Sequence, residues 1–121
     1  MKLPLSLIAA VCITHTVLPV PAHAADVEAG LTLVAELAQV NGQALACQDM
    51  AAAARAKKLM LAHAPKTQRF GSAFEEGTNA SYLAQARGTA PCPDAVALAA
   101  RMDALAKRLA EALPVTPSGM Q

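Results

Sequence analysis

The sequence predicts an all-α protein, specifically a small up-down four-helix bundle closed by one disulfide. Alanine forms about a quarter of the chain after residue 24, and alanine has the highest intrinsic helix propensity. Apolar residues recur every three or four positions, without the alternation that marks a half-buried strand. Prolines and glycines separate four such segments, and Cys47 and Cys92 fall at two of the boundaries.

Residues 1–24 have the three-part pattern of a cleavable signal peptide. Lys2 supplies an early positive charge, an apolar stretch follows, and Ala22-His23-Ala24 is a small-x-small end that predicts cleavage after Ala24. The alternative is a transmembrane anchor, which needs about 20 continuous apolar residues. This run is shorter and is interrupted by His15 and by prolines. We therefore expect a periplasmic protein with no stable membrane anchor after cleavage.

The charge balance of the remaining chain argues against some classes of partner. Only Lys2 of the ten Lys and Arg residues lies in the predicted signal peptide, which leaves nine against nine Asp and Glu. Nucleic acids and anionic lipids attract an excess of positive charge. One Tyr and two Phe offer no platform for stacking bases, so no nucleic-acid partner is expected. The length allows one domain only.

The first helix is predicted from about Asp26 to Ala46. Asp26 suits an N-cap, and a helix dipole favours Glu28 in the first turn. Asn41-Gly42 resembles a hairpin turn, but no alternating strands flank it, so the helix is expected to continue, with or without a kink. Leucines on more than one face leave a homodimer open as an alternative. The apolar residues of this helix are Val27, Leu31, Leu33, Val34, Leu37, Ala38, Val40 and Leu45.

The second helix is predicted from Gln48 or Asp49 to His63. Pro65 ends it, because the residue before a proline is displaced from helical geometry. Arg55, Lys57 and Lys58 are assigned to its solvated side. Its apolar side is assigned to Met50, Ala53, Ala54, Leu59, Met60 and Leu61.

The third helix is predicted over 67–87, with Gly88 as a left-handed C′ residue. The fourth begins around Pro93-Asp94 and stops at Pro114, so that the helical domain spans 25–113 and a flexible tail spans 114–121. The apolar seam of the third helix is Phe70, Ala73, Phe74, Gly77, Ala80, Leu83 and Ala84. The seam of the fourth is Leu98, Met102, Leu105, Leu109 and Ala112.

This topology predicts that the two cysteines after residue 24 lie close together. Cys47 falls at the first turn and Cys92 just before the fourth helix, and these places lie at the same end of an up-down bundle. A disulfide needs Cα atoms within about 7 Å, and closing a loop of this length is worth about 4 kcal/mol in the chain-entropy account. Two free thiols and a pair of metal thiolates are the alternatives. The absence of C-x-x-C argues against a thioredoxin-type redox pair.

Metal binding and catalysis receive little support from the sequence. Met50, Met60 and His63 could hold Cu(I), but the methionines are equally suited to fill core gaps and His63 to end a helix. Glu75 and Glu76 point about 100° apart on a helix, so they do not form a catalytic pair. No Ser or Thr is marked as a nucleophile near His63. No catalytic residue and no cofactor are therefore expected.

The third helix also carries the candidate interaction face. Exposed Tyr and Arg are common anchors of protein interfaces, although an ordinary solvated helix face would explain the same residues. The leading interpretation is a non-enzymatic protein-binding or accessory module that contacts another periplasmic or envelope protein. A metal or small-ligand carrier and a small hydrolase are the alternatives. The candidate face consists of Lys66, Arg69, Glu75, Glu76, Asn79, Tyr82 and Arg87.

Overall fold

A computed structural model describes residue 18 and residues 22–115, and the described chain contains four α-helices and no strand. The helices are α1 (Ala22–Ala46), α2 (Met50–His63), α3 (Gln68–Arg87) and α4 (Ala95–Ala112). The predicted helical bundle is confirmed. Most of the predicted signal peptide, and the tail after residue 115, lie outside the described residues.

Side chains at the start of three helices accept a hydrogen bond from the backbone N–H three residues further on. Asp49 and Asp94 cap α2 and α4 through carboxylate oxygens, at 3.0 and 2.7 Å, and Thr67 caps α3 through its hydroxyl at 3.5 Å. These caps satisfy N–H groups that a helix leaves without partners. For α1 the predicted start is wrong: the helix begins at Ala22, four residues before Asp26, because the intervening residues include strong helix formers.

The turn between α1 and α2 contains the one non-glycine residue of the described chain with a positive φ. Gln48 has φ 61°. Its N–H donates to the Leu45 carbonyl at 3.3 Å, and the Asp49 N–H donates to the Ala44 carbonyl at 2.9 Å. These two bonds form a Schellman motif, in which the left-handed position usually belongs to glycine.

Gly88 ends α3 differently from the prediction. Its φ of −80° and ψ of 171° are extended, and its N–H donates to the Ala84 carbonyl. A Cβ atom at this position would lie 2.6 Å from the Ala84 carbonyl oxygen. The glycine is therefore needed for space at the end of α3, and not for a left-handed backbone.

Helix α1 is the central element, because it packs against each of the other three helices. One side of α1 carries Leu33, Leu37 and Val40 into a core shared with α2 and α4, in which Leu98 and Met102 are fully buried. The opposite side packs on α3. Leu33 and Leu37 are thus buried within a single chain, whereas Leu45, near the end of α1, is 37% exposed.

The contact between α1 and α3 is unusually close. A Cβ atom added to Gly42 would lie 2.4 Å from the Thr78 carbonyl oxygen and 2.6 Å from the Cβ of Ser81. Two hydrogen bonds flank this contact. The Asn41 amide donates to the Thr78 hydroxyl at 3.1 Å, and the Ser81 hydroxyl donates to the Gln39 carbonyl at 2.6 Å.

Because α3 is held on α1 in this way, it makes little contact with α2 or α4, whereas α2 and α4 pack against each other. The bundle is consequently open along the line between α2 and α3. At one end of the bundle the Cα atoms of Cys47 and Cys92 are 5.7 Å apart and their sulfurs are at bonding distance. The predicted pairing of these cysteines is confirmed.

Exposed ion pairs link the helices on the outer surface. Arg108 contacts both carboxylate oxygens of Glu36, at 2.6 and 3.0 Å, and Arg55 contacts Asp103 at 2.6 Å. The hydrogen bond and charge of Glu36 raise the pKa of the Arg108 guanidinium. Pairs this exposed contribute little to stability because water and salt screen them.

Candidate interaction groove

An open groove runs between α2 and α3, with α1 as its floor. Its larger part has a volume of about 630 Å³, and a continuation of about 300 Å³ follows α3 towards the disulfide end. Asn41 and Leu45 of α1 form the floor. We call this feature the α2–α3 groove. Its walls are Met50, Ala53, Ala54, Lys57, Met60 and Leu61 of α2, and Gly71, Phe74, Glu75, Thr78, Asn79 and Tyr82 of α3.

Each wall contains a stripe of four residues at helical spacing. The α2 stripe is Met50, Ala54, Lys57 and Leu61, and the α3 stripe is Gly71, Glu75, Thr78 and Tyr82. Both stripes follow the pattern i, i+4, i+7, i+11, which keeps residues on one side of a helix. The groove is therefore bounded by two continuous helical surfaces.

Several of the large apolar side chains that line the groove are exposed. The exposed fraction is 55% for Met50, 60% for Leu61 and 42% for Tyr82. The sequence assigned Met50 and Leu61 to the apolar side of the second helix, together with Ala53. Only Ala53 of the three is buried. The difference arises because α3 is drawn onto α1 and does not cover this flank of α2.

Polar groups occupy defined places in the groove. On the floor, Asn41 is 7% exposed and its amide is held by the hydroxyl of Thr78. Lys57 and Glu75 are exposed and belong to opposite walls. The groove thus has a positively charged side chain on its α2 wall and a negatively charged one on its α3 wall, with an apolar channel between them.

The predicted interaction face is divided by the structure. Glu75, Asn79 and Tyr82 line the α2–α3 groove. Arg69 pairs with Glu28 of α1, and Lys66 donates to the Leu61 carbonyl at 2.7 Å. The two remaining residues are exposed but do not line the groove: Glu76 and Arg87.

The three metal candidates are also divided. Met50 and Met60 line the groove, whereas His63 lies at the end of α2 and its Nδ1 is 2.8 Å from the Leu113 carbonyl oxygen. This contact ties the end of α2 to the end of α4. Among the described residues, no three His, Cys, Asp or Glu side chains are grouped as a metal site would require. Metal binding by Met50, Met60 and His63 stays a prediction.

In the part of the chain that the structure describes, the side chains considered for a hydrolase are not brought together. Glu75 lines the groove while Glu76 does not, in keeping with the divergence of adjacent helix positions. The hydroxyl of Ser81 is engaged by the Gln39 carbonyl. His63 faces the end of α4 through its contact with Leu113.

A second concavity lies between α1 and α3 on the side towards α4. Its volume is about 660 Å³, and its lining consists of small residues and polar side chains such as Gln39, Gln43 and Gln85. None of the described residues that line it is large and apolar. The α2–α3 groove is therefore the stronger candidate for an interaction site.

The chain matches no known family profile, no curated protein and no solved structure. In the described part of the chain, no helix has both the length and the apolarity that crossing a bilayer demands.

The position of Leu61, Lys57 and Leu45 in the lining of a groove was not predicted from the sequence. The spacing of 50, 54, 57 and 61 was visible, but an exposed apolar stripe and a buried one have the same spacing. Only the position of α3 distinguishes them.

Proposed function

We propose that this protein is a non-enzymatic, protein-binding module of the bacterial periplasm, which holds an amphipathic helical surface of a polypeptide in the α2–α3 groove. The observation that carries the proposal is the uncovered apolar channel between two helical stripes. Helix-in-groove recognition reads anchors at the spacing i, i+3, i+4 and i+7, and a groove between two helices accepts such a surface.

The side chains of the groove suit this role. Methionine is flexible and polarizable, and binding surfaces that accept varied apolar partners are enriched in it. Met50 and Met60 both line the groove. Tyr82 adds a rigid ring with a polar end, a residue type common at interface hot spots. The charges of Lys57 and Glu75 favour an occupant with acidic and basic flanks.

The predicted signal peptide and the disulfide support the periplasmic part of the proposal. Residues 1–24 carry the signal-peptide pattern. The bonded sulfurs of Cys47 and Cys92 suit an oxidising compartment, because disulfides form and persist there. Expression of the full-length gene, followed by intact mass measurement, is expected to give a chain that begins at Ala25 with two fewer hydrogens than the reduced form. An uncleaved chain, or one with two free thiols, would contradict export of this kind.

Methionine methyl groups provide a test of the binding function that reports on position. We expect a synthetic amphipathic helix, with leucines at i, i+3, i+4 and i+7 and mixed charged flanks, to shift the ¹³C-methyl resonances of Met50 and Met60. Met102 is fully buried in the core and does not line the groove, so its resonance is expected to shift less than theirs. Shifts at Met102 and not at the groove methionines would exclude the groove as the site.

Two matched variants separate binding from stability. Leu61→Asp places a charge in the groove, and Val96→Asp places the same charge on α4, where Val96 is 80% exposed and lines no part of the groove. Both variants are expected to fold, because neither side chain is buried. Only Leu61→Asp should weaken binding of the synthetic helix, by at least tenfold. Equal loss in both variants, or in neither, would refute the proposed function.

A further inference from the structure

We propose that a second copy of this chain occupies the α2–α3 groove, forming a two-fold dimer in which α2 of each copy packs along α3 of the other. The inference rests on the proposed function, because it names the partner that fills the groove when no other polypeptide does. Two open helix pairs stacked face to face form a four-helix arrangement, which is a standard way to bury apolar stripes.

The two stripes are in register across the groove. Helices α2 and α3 are antiparallel and are joined by a short connection around Lys66. Residues at equal sequence distances from that connection lie at about the same height, since every helical residue rises about 1.5 Å. The stripe positions are symmetric about residue 66 in this sense, and the four pairs are 61 with 71, 57 with 75, 54 with 78, and 50 with 82.

A two-fold axis parallel to the groove brings these paired positions into contact between copies. Such an axis preserves height and exchanges the α2 wall with the α3 wall, so that α2 of the second copy lies antiparallel on α3 of the first. Lys57 of one copy then meets Glu75 of the other, twice per dimer. The two groups are exposed and of opposite charge, and charge complementarity of this kind fixes the register of an interface.

Two of the three remaining pairs, at the two ends of the stripes, are complementary in size or chemistry. Leu61 of the second copy lies over Gly71, at which a Cβ atom would meet nothing within 4 Å. Met50 lies over Tyr82, which permits a sulfur–aromatic contact. The large, exposed side chains at the two ends of the α2 stripe are Leu61 and Met50. Leu61 therefore lies opposite open space on the α3 stripe, and Met50 lies opposite an aromatic ring.

The alternative two-fold axis, across the groove, is disfavoured by charge. It would place α2 on α2 and α3 on α3. When the stripes of the two copies overlap fully, Lys57 would then lie within about one helical turn of Lys57 of the second copy, and Glu75 within about one turn of Glu75 of the second copy. Like charges brought together at an interface suppress that arrangement. The charges therefore select the axis that runs parallel to the groove.

Dimerisation would compete with other polypeptides, because both use the same groove. The synthetic amphipathic helix is accordingly expected to bind more weakly as the protein concentration rises. A dimer of this kind keeps the apolar channel covered until a competing surface displaces the second copy.

Charge exchange tests the dimer. Sedimentation velocity of the exported, disulfide-bonded protein, from low micromolar to several hundred micromolar, is expected to show reversible dimers. Lys57→Glu and Glu75→Lys should each weaken the dimer at least tenfold, whereas an equal mixture of the two variants, or the double variant, should restore it. Lys58→Glu is the matched control: it changes the net charge equally, one position off the stripe, and should leave the dimer intact.

A zero-length amine–carboxyl cross-linker tests the axis. The cross-linked dimer is expected to join the peptide containing Lys57 to the peptide containing Glu75. A protein that stays monomeric, or a dimer indifferent to both charge reversals, would overturn this inference. If the protein stays monomeric while the methyl groups of Met50 and Met60 still respond to the synthetic helix, the proposed function stands and only the dimer is refuted.

Discussion

Replacement of Gly42 by alanine tests the close approach of α1 and α3, on which the groove depends. The added methyl group would lie 2.4 Å from the Thr78 carbonyl oxygen, 2.6 Å from the Ser81 Cβ and 2.7 Å from the Tyr82 nitrogen. These atoms belong to the backbone of α3 or are attached directly to it, so no side-chain rotation relieves the contacts. The helices would have to separate.

Three contributions set the expected magnitude. Overpacking of a close contact costs about 1–3 kcal/mol. Separation also stretches the Asn41–Thr78 and Ser81–Gln39 hydrogen bonds, and each is worth about 1 kcal/mol. Alanine gains about 1 kcal/mol over glycine in helix propensity. We therefore expect Gly42→Ala to lower the free energy of unfolding by about 3 kcal/mol.

Two glycines of α3, Gly77 and Gly71, serve as controls in which the added methyl group has progressively more space than at Gly42 of α1. The added methyl group of Gly77→Ala meets the Ala38 Cβ at 2.8 Å and the Ala35 carbonyl oxygen at 3.9 Å, whereas that of Gly71→Ala meets nothing within 4 Å. The same contributions predict a net loss of about 1 kcal/mol for Gly77→Ala and a gain of about 0.5–1 kcal/mol for Gly71→Ala.

Urea unfolding followed by far-UV circular dichroism, at low micromolar protein, measures all three variants. With a slope of about 1.5 kcal/mol per M, Gly42→Ala should lower the midpoint by about 2 M. If the free energy of unfolding of Gly42→Ala lies within about 0.5 kcal/mol of that of the wild type, the close contact between α1 and α3 is refuted. The same would follow if the order of the three glycines were reversed.

Three other predictions concern the rest of the fold. Gln48→Gly should stabilise the protein by about 0.5–1 kcal/mol in urea unfolding, because it removes a left-handed non-glycine residue; a loss would contradict the Schellman geometry. Replacing Cys47 and Cys92 together by serine should cost about 4 kcal/mol in the chain-entropy account, and unchanged stability would argue against a closed loop. Arg108→Ala should lower the melting temperature slightly at low salt and not at high salt, since its pair with Glu36 is exposed; a salt-independent loss would point to packing.

The sequence alone was sufficient to predict most of the secondary structure. Asp49 and Asp94 begin α2 and α4, and Pro65 and Pro114 follow their ends, because caps and prolines act within a few residues of themselves. The pairing of Cys47 with Cys92 also followed, since helix order alone places two alternate turns at one end of an up-down bundle.

The site could not be predicted in the same way. The stripe of Met50, Ala54, Lys57 and Leu61 has the spacing of a core face, and periodicity does not reveal what lies opposite. The seven residues of the predicted interaction face belong to one stretch of sequence, whereas the groove is lined by only three of them, Glu75, Asn79 and Tyr82.

The tertiary contact at Gly42 decides whether the α2 stripe is buried or exposed. The sequence determined that four helices form, where most of them begin and end, and which two cysteines meet, because these properties depend on local chemistry and helix order. Only the tertiary structure decided that α3 lies on α1 and away from α2. That choice depends on van der Waals contact between residues more than thirty positions apart, and it turns an apparent core stripe into the exposed wall of a groove.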